Sequence, residues 1–424
     1  MSDRSSGYGW RPAIVLSLVA LVDRMETSTV AGVLPLIQRE WGFSDTAGGA
    51  IPTAATIAGL LVVLPAGYLA DRTDRTRLIG LVVASWSLII SLSAAALSFA
   101  MFFATRVLLG ASDSTYSPSA LSLLGDYYEP ARRARAYGAQ RMLHFVGLAL
   151  GVLVGGAIGQ LLGWRYAFFA MVVPGLAVAL LAWRLPEPAR GAHDGHDAEG
   201  TLATRGPRAL WEDSRSLWRV PTVRFVFLGL TCLFGGLSGV LYWLPTFLSR
   251  RWDLGEFPAA ALTAGLGLMG VIVGTAVGGA LGDRWHGTRR GGRILLGGWG
   301  EIAGSLALGV AFWLAPLPLQ GLGLFSGFAL LSIGIPTLTA SIADVLPAHR
   351  RGIGFALVTF LGSAVGAVGP LLIGVVSDAT GSLTTALTVM TGPAFAGGFI
   401  VLMGRGTFDE DARAVREGFV TPQG

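Results

Sequence analysis

Gly67-Tyr-Leu-Ala-Asp71-Arg72-Thr-Asp-Arg75-Thr-Arg77 stands between two long apolar stretches, and Gly279-Ala-Leu-Gly-Asp283-Arg284 repeats its opening after another such stretch in the second half of the chain. A second pair matches in the same way: Asp126-Tyr-Tyr-Glu-Pro-Ala-Arg132-Arg133 and Asp344-Val-Leu-Pro-Ala-His-Arg350-Arg351. Two matched loops at nearly equal offsets mark an internal repeat, and repeats made of apolar segments are a building plan of membrane proteins. In such a loop glycine lets two helix ends approach closely, aspartate accepts hydrogen bonds from a neighbouring helix N-terminus, and the arginines hold the turn at an aqueous face. A latch of this kind can be made in one conformation and broken in another. Gly67, Asp71, Arg72, Arg75, Asp283 and Arg284 are its candidate residues.

Around these loops the chain is 52% hydrophobic and only 13% charged over 424 residues, where soluble domains carry about a quarter charged residues. A hydrocarbon core of roughly 30 Å takes about 20 apolar residues per helix. Stretches of that length predict twelve spans, at 12–37, 46–70, 77–98, 101–125, 137–161, 165–184, 223–248, 259–281, 293–314, 317–343, 352–375 and 385–404. The expected fold is an all-α integral membrane protein with two pseudo-symmetric bundles of six helices. Its parts are a first bundle at 1–186, a linker at 187–222, a second bundle at 223–404 and a tail at 405–424. The first span is too long for a signal-peptide core and is followed by others, so it is expected to be retained.

All 31 basic residues are arginine. They gather in the tails and in the loops after spans 2, 4, 6, 8 and 10, whereas the opposite loops hold only Arg39, Arg165, Arg250 and Arg251. By the positive-inside rule both termini are expected in the cytoplasm. The net charge of +5 thus reports topology, and no nucleic-acid partner is implied. The linker, rich in Pro, Gly, His, Asp and Arg, cannot bury itself. Its second part, with Leu210, Trp211, Leu217 and Trp218 among charges, suits a short helix at the membrane surface. His193 and His196 lack a third ligand nearby, so no metal site is expected. The single Cys232 excludes an intrachain disulfide and a cysteine-based metal cluster.

Ionisable residues inside a span are costly and mark pathways or proton relays. Span 1 carries Asp23, Arg24 and Glu26, span 4 Arg106 and Asp113, and span 9 Glu301. Asp23 and Glu26, three apart, share a helix face, and Arg106 and Asp113 lie two turns apart on one stripe. An acid of span 1 and the arginine of span 4 are placed to meet. Paired, such an acid stays ionised; freed in an apolar cavity, it takes up a proton. A static pair that only ties spans 1 and 4 together is the other reading. Glu301 is open to three readings: neutral, paired across helices, or facing a vestibule.

The loop with Gly67, Asp71, Arg72, Arg75 and Arg77 resembles the signature of the major facilitator superfamily, G-x-x-x-D-R-x-x-R-[RK], with Arg77 preceded by Thr76 where a second adjacent base is common. Within that superfamily, Thr29-Val-Ala-Gly-Val-Leu34 after an Asp-Arg pair, and Arg106 before Gly110-Ala-Ser-Asp113-Ser-Thr-Tyr116, resemble the Spinster branch. Asp113 stands where that branch has glutamate and Ser112 where it has glycine. Aligned without a gap, Glu26 and not Asp23 falls on the branch's acid, so both remain candidates. The resemblance implies a proton-coupled carrier of a lysophospholipid or similar amphiphile working by alternating access, in the plasma membrane and as a monomer. Asp23, Glu26, Arg106, Asp113, Tyr116 and Glu301 are then the proton-coupling and substrate residues. Related organic-anion and sugar-acid symporters and drug:proton antiporters share these charges and stand as alternatives.

No ATP-binding motif is present, so an ion or solute gradient is the expected drive, and no cofactor is implied. Five scattered histidines and one cysteine make no nucleophile or metal constellation, so enzymatic activity is not expected. Gly147, Gly151, Gly155, Gly156 and Gly159 in span 5, and Gly362, Gly366, Gly369 and Gly374 in span 11, form smooth stripes that permit close helix crossing. His144 is expected in packing, and Tyr242 and Trp243 either line the substrate path or sit in an interfacial belt.

Overall fold

The computed structural model describes residues 8–113, 115–189 and 217–417; within them the side chains at 64, 66–71, 130, 131, 134, 287, 348, 349, 352 and 416 stand outside the description. His193, His196, Leu210 and Trp211 of the linker therefore lie outside the described residues, and so does the side chain of Asp71.

In hydrocarbon every backbone N–H and C=O must be paired internally, which leaves helices as the solution for a chain of this hydropathy. The first half forms α1 (Arg11–Trp41), α2 (Asp45–Arg72), α3 (Arg75–Ala94), α4 (Phe99–Asp113), α5 (Tyr116–Tyr127), α6 (Pro130–Leu162) and α7 (Trp164–Trp183). The second half forms α8 (Pro221–Trp252), α9 (Glu256–Leu262), a π-helical turn (Thr263–Leu268), α10 (Met269–Thr288), α11 (Gly292–Ala311), α12 (Leu317–Ser332), α13 (Gly334–Val345), α14 (Ala348–Thr380), α15 (Leu383–Val389), α16 (Thr391–Met403) and α17 (Arg405–Arg416). No strand occurs among the described residues.

Among the described residues, ten stretches are long and apolar enough to cross a membrane. The two expected spans outside that set are spans 1 and 4. Helix α1 has 31 residues but holds Asp23, Arg24 and Glu26 near its middle. Span 4 forms α4, to Asp113, and α5, from Tyr116, of 15 and 12 residues. Span 10 breaks at the matching place, between Ser332 and Gly334.

The chain divides into two compact units: Met1–Ser44, Ile51–Ala203 and Leu248–Ala261 form one, and Asp45–Ala50, Thr204–Phe247 and Leu262–Gly424 form the other. The division follows the two halves except at the start of α2 and at the end of α8 with α9, which group with the opposite half. In the first unit α1 runs along α6, and the glycine stripe of α6 is the reason. A methyl at Gly151 would run into the carbonyl oxygen of Met25, and one at Gly147 into that of Leu21. In the second unit α14 lies as closely on α8, where a methyl at Gly369 would meet the carbonyl of Gly235. Gly147, Gly151, Gly155 and Gly159 thus face α1, and Gly362, Gly366 and Gly369 face α8.

The second unit has a core of Leu217, Val226, Phe227, Ile294, Leu338 and Val345 that continues into α17 through Phe408 and Ala412. Asp411 accepts from the backbone N–H of Thr222 at 3.1 Å, fixing the tail helix to the start of α8. Leu217 and Trp218 belong to this packing, Trp218 edge-on to Phe227 at 5.8 Å, and not to a free surface helix.

Candidate functional site

Three charged residues within one turn of α1 need partners, and two helices supply them. Arg24 folds back on Asp23, donating from Nε to Oδ2 at 2.6 Å, and reaches Asp113 at the end of α4 from Nη2 at 2.8 Å. Arg106, two turns earlier on α4, donates to Glu26 and to the hydroxyl of Ser93 on α3. Ser93 in turn donates to Thr105 at 2.7 Å. The Arg106 guanidinium lies over the rings of Phe102 and Phe168, 5.2 and 4.9 Å from their centroids. Cation–π contact and hydrogen bonds from both terminal nitrogens let the buried arginine persist in an apolar surround, with Nε left without a partner among the described residues.

The two pairs differ in access. The side chains of Arg106 and Glu26 are 3% and 4% exposed, whereas those of Arg24 and Asp113 are 23% and 29% exposed. One pair is enclosed and the other can be reached by a solute. Span 1 and span 4 meet as the spacing predicted, with Glu26 as the partner of Arg106. Asp23 belongs to a separate triad with Arg24 and Asp113.

Tyr116 is placed beside this network but its hydroxyl is committed to structure. It donates to the carbonyl of Leu16 at 2.7 Å, accepts from Gln140 of α6 at 3.3 Å and packs edge-on to Trp86. Glu301 lies in the second unit, on α11, fully buried, with neither carboxylate oxygen hydrogen-bonded. His144 is half-buried on α6, ring against Phe145, in keeping with a packing role.

The loop residues form one arrangement in each unit. Arg75, at the start of α3, donates to Asp126, to Ser122 at 2.8 Å, to Glu187 at 2.8 Å and to the carbonyl of Pro188. Arg293, at the start of α11, donates to Asp283 at 2.7 Å and to Asp344 at 2.6 Å. Arginine and partner, Arg75 with Asp126 and Arg293 with Asp344, stand 51 residues apart in both halves. The repeated loops end alike as well: Arg133 Nε caps the carbonyl of Tyr128 and Arg351 Nε that of Leu346. Arg72 and Arg284 are exposed beside these centres. Arg24, Ser93 and Arg293 are functional candidates that residue-by-residue reading passes over. For Arg293 the signal was its position in the repeat; for Ser93, a neutral residue in a polar-poor span, there was none.

The family model of the Major Facilitator Superfamily matches residues 16–300. Protein spinster homolog 1 of Bos taurus is 31% identical over 399 residues, spanning 88% of this chain and 74% of its own length. Protein spinster homolog 3 of Danio rerio is 28% identical over 395 residues, spanning 88% and 77%. Among solved structures, a bacterial homolog of the human lysosomal transporter Spinster, inward-facing and unoccupied, superposes with a TM-score of 0.80 at 21% identity, over 98% of this chain and 100% of its own.

Proposed function

The chain belongs to the major facilitator superfamily and, within it, to the Spinster family, and from that premise we propose that it is a proton-coupled transporter carrying a lysophospholipid or a similar amphiphile by alternating access. That it is a membrane transporter and not an enzyme follows from the family. Proton coupling and the lipid substrate are our reading, and the observation that carries it is the two-layered charge network of the first unit.

In this reading an anionic headgroup engages Arg24, the more accessible guanidinium, and competes with Asp23 and Asp113 for it. Loss of an arginine partner leaves a carboxylate in an apolar surround, and the carboxylate recovers neutrality by taking a proton. Exchange of the substrate anion for the acid on arginine therefore couples one proton to one binding event, with no covalent step. Arg106 and Glu26 are the inner pair, which opens only when α1 and α4 shift. Arginine suits the role because its planar fork serves carboxylate and phosphate alike. In this reading the Arg75 and Arg293 centres act as latches at the basic face of each unit, and the arginine distribution supports a cytoplasmic position for that face and for both termini. The protein works as a monomer in the plasma membrane.

The test is movement of labelled lysophosphatidylcholine in liposomes with and without an imposed pH gradient, beside Glu26→Gln, Asp23→Asn and Arg106→Ala. Gradient-driven movement lost in one acid variant supports the reading, and the direction of the effective gradient distinguishes symport from antiport. Proton-linked movement of an organic acid or a cationic drug in its place overturns the lipid assignment.

A further inference from the structure

The fourth span of each half forms two helices, and each junction has a carboxyl group beside it. In the first unit this is Asp113, the last residue of α4, held by Arg24. In the second unit the break between α12 and α13 carries no charge, and the carboxyl comes from across the bundle. A methyl at Gly334, the first residue of α13, would stand 3.3 Å from Glu301 Oε1, and one at Gly397 of α16 would stand 3.1 Å from Oε2. Glu301 is thus clasped between the helix break and α16 with 0% exposure.

Among the described residues, no cation or hydrogen-bond donor reaches its carboxylate. Helix α11 packs against α10, α12, α13, α15, α16 and α17. Helices α12, α15 and α16 contain no charged residue. On α10, α13 and α17 the charges, Asp283, Asp344 and Asp409 with their partners, cluster at the Arg293 end of α11. That end is eight residues, roughly 12 Å of helix, from Glu301. From α8, Cys232 comes up to the same glycine, Gly397, and is itself an acid. An ionised carboxylate without donor or cation is among the costliest groups to bury. A metal ion is a poor solution, since it needs several oxygen ligands, and no hydrogen-bonding atom of the described residues reaches either carboxylate oxygen. Gly334 and Gly397 bring their backbones so near the carboxyl that even a methyl in place of either hydrogen would press on it. Two more fully buried hydroxyls without partners, Ser305 one turn along α11 and Ser332 at the break, mark this seam as polar where its neighbours are apolar.

We propose that Glu301 is a proton-binding site of the second unit, carrying a proton while α13 and α16 close on it and releasing the proton when the helix break moves away. The junction is the single residue Ile333, whose backbone stays helical (φ −56°, ψ −35°) while its N–H turns to the carbonyls of Leu330 and Leu331; an irregular turn of this kind inside a long helix is a place where the helix bends, so the acid sits where a bend would expose it. The site adds a second proton to the cycle, in the half whose arginine pairs lie at the Arg293 end of α11 and not beside the acid. It rests on the proton-coupled reading, but its test needs no transported substrate.

The probe is the proton itself, followed by infrared spectroscopy of the full chain in liposomes as pH is raised from neutral to alkaline. The expected result is a protonated-carboxyl band at neutral pH that is absent in Glu301→Gln and shifted in Glu301→Asp. Its loss at alkaline pH should release one proton per chain more than Glu301→Gln releases. Absence of the band in the unmodified protein, a band that Glu301→Gln leaves in place, or a band that persists at every pH at which the protein stays folded overturns the proposal. The last result leaves Glu301 a fixed neutral acid. Failure of lysolipid transport touches none of these outcomes.

Discussion

Arg106 on α4 closes on Glu26 of α1, while Asp23, one turn earlier on the same face, is held by its own neighbour Arg24. The two acids therefore have separate guanidiniums and differ in what happens when one is removed.

Arg106→Ala leaves the Glu26 carboxylate enclosed among Phe102, Phe168 and Ser93. Removing one member of a buried pair costs about 3–5 kcal/mol, whereas Glu26→Gln keeps a hydrogen-bond acceptor for Arg106 and costs less. The double variant Arg106→Ala with Glu26→Gln should recover part of the loss. Thermal unfolding in detergent checks this, and additive effects of the two changes would show that they do not form a unit.

Arg75 uses its whole fork: Nε on Glu187, one terminal nitrogen on Asp126 and Ser122, the other toward Pro188. Lysine cannot reproduce that geometry. Arg75→Lys is expected to lose about 2 kcal/mol from the state that holds the latch, a shift of roughly thirtyfold in a two-state equilibrium. Arg77, exposed and, among the described residues, paired with Asp74 at 3.4 Å, tolerates the same change within about 0.5 kcal/mol. Equal effects of the two lysine variants on transport rate would remove Arg75 from the latch.

The architecture was legible because hydrocarbon leaves a chain few options. Apolar runs of 20 residues, the glycine stripes and the twin loops each reflect a constraint on neighbouring residues along the sequence. The pairing of Glu26 with Arg106 was half legible: spacing placed an acid and a base on facing helices but left Asp23 and Glu26 equivalent, and only the packing of α1 on α6 sets their rotation. Arg24 was visible as a charge and not as a bridge, because its role depends on the end of α4. The surroundings of Glu301 were closed to sequence reading, since Gly334 and Gly397 carry no chemistry that announces a neighbour.

The α1–α6 contact depends on absent side chains. Gly151→Ala drives a methyl against Met25 and Ser28 and should cost roughly 1–3 kcal/mol. Gly138→Ala, on the same helix with open space around it, is the control and should gain up to about 1 kcal/mol, as helix propensity dictates. Comparable melting points for the two variants would mean that α1 slides freely on α6.

Glu40, past span 1 in the last turn of α1, accepts two bonds of 2.7 Å from Arg165 and one of 2.7 Å from the indole of Trp164. The Arg165 hydrogen bonds hold its carboxyl below the usual carboxylate range against slight desolvation, helped by Trp164 and by the Arg165 charge. A folded-state value below the unfolded one adds stability that is fully present above the unfolded value and is lost as pH falls through the folded one. The pair is near the surface, so its contribution at neutral pH is at most about 1 kcal/mol. Glu40→Gln should thus melt slightly below the unmodified protein at neutral pH, and the gap should close below about pH 4 and shrink with added salt. A gap unchanged between neutral and acid pH would assign the effect to packing on Trp164 and not to charge.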